Sequence, residues 1–177
     1  MKRGVILLFL LLLASACEKN SYSKFSYSHK VYFSCDTSQS PFDQITSPGR
    51  FISVRKSEGH LHMVDPDGKK YDQELSEIQN GAYIMGLAGL ILGTPLLSTD
   101  DYMSVFAYDL GCPECNSQGT RLKIEQQGAQ AIASCTKCEG LWNLNTDGAS
   151  INTDGKQRRP LFRYPTSFNN GILTVSN

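Results

Sequence analysis

Tyr83 to Leu97 reads YIMGLAGLILGTPLL, and whether it is a helix or strands decides the fold. It is the most apolar run after the N-terminal leader. Gly86, Gly89 and Gly93 would each cost about 1 kcal/mol in a helix interior. Pro95 and the shortness of the run speak against a membrane-inserted segment. The expectation is therefore a buried strand or strand pair, with glycine where backbones approach closely. Outward from it the apolar stretches stay short and turn-bounded. Strands are expected over 29–34, 51–54, 60–64, 103–109, 121–125, 130–134, 140–145, 161–164 and 171–175. Asp65-Pro66-Asp67-Gly68 is a turn, since proline presets φ and glycine accepts the left-handed position. One or two helical turns are expected over 71–79. The fold class is mostly β: a small antiparallel sandwich or partial barrel.

Composition agrees. Of 177 residues only 19% are charged, while Gly (15) and Tyr (8) are plentiful, which suits strands and turns better than a helical bundle. Seventeen basic residues balance seventeen acidic ones, so no nucleic-acid partner is expected. No Ser/His/Asp set, paired-carboxylate motif or phosphate loop can be discerned, and the expectation is a protein that is not an enzyme.

The first segment, MKRGVILLFLLLLASAC, has a basic start (Lys2, Arg3), an apolar run too short to span a bilayer comfortably, and small residues before Cys17. It resembles the signal and lipobox of bacterial lipoproteins, with Ala14 where leucine is usual. That resemblance implies cleavage after residue 16, lipidation of Cys17, membrane attachment through the lipid and a place in the bacterial cell envelope. Removal of Lys2 and Arg3 leaves fifteen basic against seventeen acidic residues. Residues 17–28 then form a tether, and 29–177 a single domain with its metal-binding region at 104–177.

Six cysteines in such a chain demand an account. Cys112-Pro113-Glu114-Cys115 is followed, nineteen residues later, by Cys135-Thr136-Lys137-Cys138. Two C-x-x-C knuckles can bring four thiolates to one ion with tetrahedral geometry. Two disulfides are the competing state, because an exported chain meets an oxidising compartment. Bridges within each knuckle would close tiny loops and stabilise little. Bridges between the knuckles are also open, as are free thiols. Cys35 is left over and reads as a small buried hydrophobe. His60-x-His62 could place two imidazoles on one strand face and bind a metal, although a solvated strand face is the simpler reading. Trp142 reads as core, and Arg158-Arg159 before Pro160 as an exposed turn.

The run from Cys112 to Val175 resembles a Rieske domain. That family has a C-x-H box, a second box C-x-x-H-G-[ST]-x-[FYW]-[DN], a T-x-G turn, a proline and L-x-x-Y before a closing strand. This chain has Cys112-Pro113, then Cys135-Thr136-Lys137-Cys138-Glu139-Gly140-Leu141-Trp142-Asn143, then Thr146-Asp147-Gly148, Pro160, Leu161 and Tyr164. Both boxes lack histidine, and Cys138 stands at the second histidine position. The resemblance implies a [2Fe–2S] cluster, here with cysteine ligands only, and a redox partner in the envelope. The C-x-x-C spacing points instead to a single Zn or Fe ion held by Cys112, Cys115, Cys135 and Cys138. Two functions follow: an electron-carrying lipoprotein, or a structural zinc module whose surface binds an envelope partner.

Overall fold

A computed structural model describes residues 25–97, 104–128, 130–151 and 153–177. Cys17, the leader and most of the tether lie outside the described residues, as does Met103 at the start of an expected strand. The strands are β1 (Val31–Asp36), β2 (Phe51–Ser57), β3 (His60–Val64), β4 (Lys70–Glu74), β5 (Ile84–Met85), β6 (Leu90–Gly93), β7 (Phe106–Asp109), β8 (Lys123–Gln127), β9 (Gln130–Ser134), β10 (Leu141–Asn143), β11 (Ala149–Ser150), β12 (Arg163–Tyr164), β13 (Thr166–Asn169) and β14 (Ile172–Ser176). A 3-10 turn covers Phe42–Thr46 and one short helix, α1, covers Glu77–Ala82.

Three antiparallel sheets result. The central one has six strands in the order β12-β7-β6-β2-β3-β4. A four-stranded sheet, β13-β14-β1-β5, covers one of its faces, and a second, β11-β10-β9-β8, covers part of the other. The period-two alternation of β6 explains why its reading decided the fold. Leu90 and Leu92 enter the core shared with Val31, Phe33, Leu173 and Val175, whereas Ile91 faces the opposite core with Tyr108, Ala133 and Trp142. Both faces of β6 are covered, so all four of its residues are buried and the strand reads as a continuous apolar run. Each buried Leu or Ile contributes about 2 kcal/mol by leaving water.

The glycines act as expected. A Cβ on Gly93 would stand 2.1 Å from the Arg50 carbonyl oxygen, so β6 and β2 could not approach. Gly86 has φ +66°, and a Cβ there would stand 2.3 Å from Asp109 Oδ2. Among the described residues no helix is long and apolar enough to cross a membrane.

Several expectations are corrected. The helical turns expected over 71–79 are the edge strand β4 followed by α1. Tyr71 turns inward against the core while Asp72 and Glu74 point out, a strand alternation. The helix starts only at Ser76, whose hydroxyl accepts from Gln79 N–H (3.3 Å) while Gln79 reaches back to Ser76 N–H (3.1 Å). The expected strand at 161–164 is paired only at Arg163 and Tyr164. Ser26, inside the stretch expected to be a tether, bonds to the domain. Ser26 N–H donates to Arg163 O (2.6 Å), and Asn177 Nδ2 donates to Ser26 O (3.2 Å).

Candidate metal centre

β7 runs into the first knuckle and the β8–β9 hairpin delivers the second. Leu110 and Leu122 exchange a backbone hydrogen bond (Leu122 N–H to Leu110 O, 2.8 Å), and Cys112 N–H donates to Thr120 O (3.0 Å), so the first loop is tied at its base. Cys135 N–H donates to Gly140 O (2.9 Å), which ties the second. The two loops repeat each other. In each, the residue after the second cysteine returns its N–H to the carbonyl of the first: Asn116 to Cys112 and Glu139 to Cys135, both at 2.9 Å. Both adopt left-handed φ, 45° at Asn116 and 58° at Glu139. Asparagine tolerates that region; glutamate stores strain there.

The four sulfurs converge. Cys112 Sγ lies 3.5 Å from Cys138 Sγ and Cys115 Sγ lies 3.8 Å from Cys135 Sγ. All four lie within 4.8 Å of one another. A tetrahedral ion with metal–sulfur bonds of about 2.3 Å needs sulfurs about 3.8 Å apart, so the set fits one ion. A two-iron cluster would spread the sulfurs of different irons further, since the metal–metal separation is added. The four stand as free thiols at non-bonded distances. Cys112 and Cys135 are buried in the second core beside Trp142, Leu122 and Leu110, whereas Cys115 and Cys138 are half-buried.

Proton affinity in the cluster is uneven. Burial, and then its sulfur neighbours, push the Cys112 thiol well above its ordinary value, and burial also raises Cys115. Cys135 is lowered. Burial opposes this, but the N–H groups of Cys138 and Lys137 and the thiols of Cys112 and Cys138 point at its sulfur. The Cys135 thiolate thus forms ahead of those of Cys112 and Cys115, from which a metal must displace protons.

Sequence reasoning took Arg158-Arg159 for an exposed turn; the structure bears this out for Arg159, whose side chain is 56% exposed, and corrects it for Arg158. The Arg158 side chain is only 7% exposed and forks onto Asp154 (2.8 and 2.7 Å), with Nη2 also toward Cys138 O (3.5 Å). Arg159 donates through Nη2 to Pro113 O and through its backbone N–H to Glu114 Oε1 (2.8 Å). The 154–159 segment therefore straps both knuckles, and Trp142 Nε1 donates to its Arg159 carbonyl (2.8 Å). Two guanidinium groups stand beside a site that would carry two net negative charges with a divalent ion bound.

Asp109 was also missed, because its role depends on distant partners. Its buried carboxylate accepts from Gly111 N–H (2.6 Å) and Ala88 N–H (3.2 Å) on Oδ1, and from Leu87 N–H (2.6 Å) and Tyr164 O–H (2.5 Å) on Oδ2. Burial pushes its carboxyl up, against the pull of these four donors. The group fixes the residue preceding Cys112. Thr146-Asp147-Gly148 forms a tight turn with left-handed φ at Asp147 and Gly148, and it meets the Leu161-to-Tyr164 run. Leu161 N–H donates to Gly148 O (3.0 Å) and Arg163 pairs with Asp147.

The leftover groups lie elsewhere. Cys35 is in the other core, where burial pushes its thiol up to about 12 and makes it inert. No histidine joins the four cysteines. Comparison with protein-family models, curated proteins and solved structures finds no match to this chain.

Proposed function

We propose that this chain is a lipid-anchored bacterial envelope protein in which Cys112, Cys115, Cys135 and Cys138 hold a single zinc ion as a structural centre, while its surface binds an envelope partner without catalysing a reaction. The carrying observation is the mutual closeness of the four sulfurs within 4.8 Å, which suits one ion. The small β8–β11 sheet supports the structural role. Its core contribution is chiefly Ala131, Ala133, Trp142 and Leu144, so cross-linking by metal replaces bulk apolar burial. When bound, zinc would act here only as a cross-link. Arg158 and Arg159 would offset the charge of the four thiolates, and Asp109 would hold the first loop in place.

A second reading keeps the Rieske-like resemblance: an iron-loaded electron carrier. Its support is the half-exposure of Cys115 and Cys138, which gives a donor or acceptor a short approach to the ion. Elemental analysis and visible absorption of protein purified from its native membranes separate the two readings. About one zinc per chain and no colour supports the structural centre. Iron with thiolate-to-metal absorption supports the carrier. Metal-free protein with no free thiols at the four positions would overturn both.

A further inference from the structure

The knuckle sheet covers only part of the central sheet, and the outer face of β3 and β4 is left bare. Strand register places three rows of side chains there: Ser57, His60 and Glu74; Arg55, His62 and Asp72; Ser53, Val64 and Lys70. Leu61 and Met63 point the other way into the core, so His60 and His62 share the outer face. His60 Nδ1 lies 2.5 Å from Asp72 Oδ1 and His62 Nδ1 lies 2.6 Å from Asp72 Oδ2. Asp72 thus hydrogen-bonds His60 and stands at ion-pair distance from His62, and the two rings stack 6.2 Å apart at 23°.

A carboxylate oxygen can only accept, so the His60 ring carries its hydrogen on Nδ1, and the 2.6 Å approach of His62 Nδ1 to the same carboxylate favours that tautomer there too. In the neutral rings, both Nε2 atoms then keep their lone pairs for another partner. A carboxylate on one ring nitrogen with a metal on the other is the usual outer-shell arrangement of a histidine metal site. Here that outer shell is assembled at His60, and the same carboxylate stands close by at His62.

We propose that His60 and His62 bind one borderline divalent cation of the Zn²⁺ or Ni²⁺ class through Nε2, with Asp72 as the positioning residue. Two bonds of about 2.1 Å require the nitrogens within about 4.2 Å, so the rings must tilt toward each other from their parallel stack. They have room, with side chains 40% and 29% exposed. Glu74, opposite His60, can offer a third ligand, and water can complete the shell. Arg55 and Lys70 offset the charges of Asp72 and Glu74, and the Arg55 guanidinium is turned to Ser57 Oγ (3.1 Å). Affinity therefore comes from the imidazoles. This site is independent of what the cysteines hold.

The test uses the full chain, its cysteine centre first saturated with zinc. The histidine rings are followed by two-bond proton–nitrogen correlation while Zn²⁺ is added, and bound metal is counted by equilibrium dialysis. The expected result is the Nδ1–H tautomer in both rings beforehand, then joint Nε2 shifts of His60 and His62 as one further equivalent binds. His60→Ala and His62→Ala should each lose that equivalent, and Asp72→Asn should weaken it about 10-fold or more. An Nε2–H tautomer in either ring would overturn the proposal, as would a second equivalent that survives either alanine substitution. All three positions lie on an exposed face, and an unchanged amide spectrum verifies the fold of each variant.

Discussion

Asp109→Asn isolates the buried carboxylate that anchors the first knuckle, because it keeps the volume and changes one oxygen into an amide nitrogen. If that nitrogen takes the Oδ1 position, it faces the N–H groups of Gly111 and Ala88, and two buried donors lose their acceptor. If it takes the Oδ2 position, it faces Leu87 N–H and the Tyr164 hydroxyl. The hydroxyl can rotate to accept, so only Leu87 N–H is orphaned, and this orientation wins. One orphaned buried donor, together with weaker bonds to a neutral acceptor, costs about 2–3 kcal/mol. Relief of burying the charge returns part of this. The expected outcome in urea unfolding at pH 8 is a midpoint lowered by about 1 M with an unchanged slope. Hydrogen exchange should speed at Leu87 and Gly111 before the β1–β14 region responds. Tyr164→Phe, which removes the rotating hydroxyl, should couple non-additively with Asp109→Asn. A loss below 1 kcal/mol with unchanged exchange at Gly111 would show that the carboxylate is not the anchor.

The remaining predictions concern the knuckles and their strap. Because Cys112 and Cys115 hold protons more tightly than ordinary thiols, acid competes strongly with metal; affinity should fall as pH falls, with about two or more protons taken up per ion released. Zinc release monitored by a chromophoric chelator from pH 8 to pH 5 checks this, and a pH-independent affinity would refute it. Arg159→Ala removes the donor to Pro113 O and should cost about 1 kcal/mol while speeding chelator extraction; extraction at the wild-type rate would refute the strap's role. Glu139→Gly relieves a left-handed glutamate and should raise stability by up to about 1 kcal/mol in thermal unfolding, whereas a loss of that size would show that the side chain contributes more than its backbone strain costs.

What could be read locally was read well. The turn-bounded residues 60–64 and the glycine-punctuated apolar run gave strands, and cysteine spacing alone picked out four thiols that the fold brings together. The edge strand β4 was mistaken for helix because Lys70–Glu74 is polar on its outward side and supplies only Tyr71 to the core. Arg158 was taken as exposed because its local partner Asp154 says nothing of burial, and Cys138, 20 positions away, meets it only in the fold. Asp109 and Tyr164 are 55 positions apart, and no local pattern pairs them. The β13–β14 hairpin went unread in its first strand, although Asn170 and Gly171 at its turn both take the left-handed conformation such turns require.

The pairing of β1 with β14 governs when the chain can fold. β1 sits between β14 and the two-residue β5, and Val31 N–H ends on Asn177 Oδ1, 146 positions away. Until Ile172–Ser176 have been made, Phe33 and Val31 have no neighbours on that side, and the core under that sheet stays open to water. The sandwich therefore closes only after β14 has been synthesised, which makes folding dependent on long loop closure. Up to that point only local pairings such as β2–β3–β4 and β8–β9 are complete, and the layer that buries Leu90 and Leu92 has still to be added.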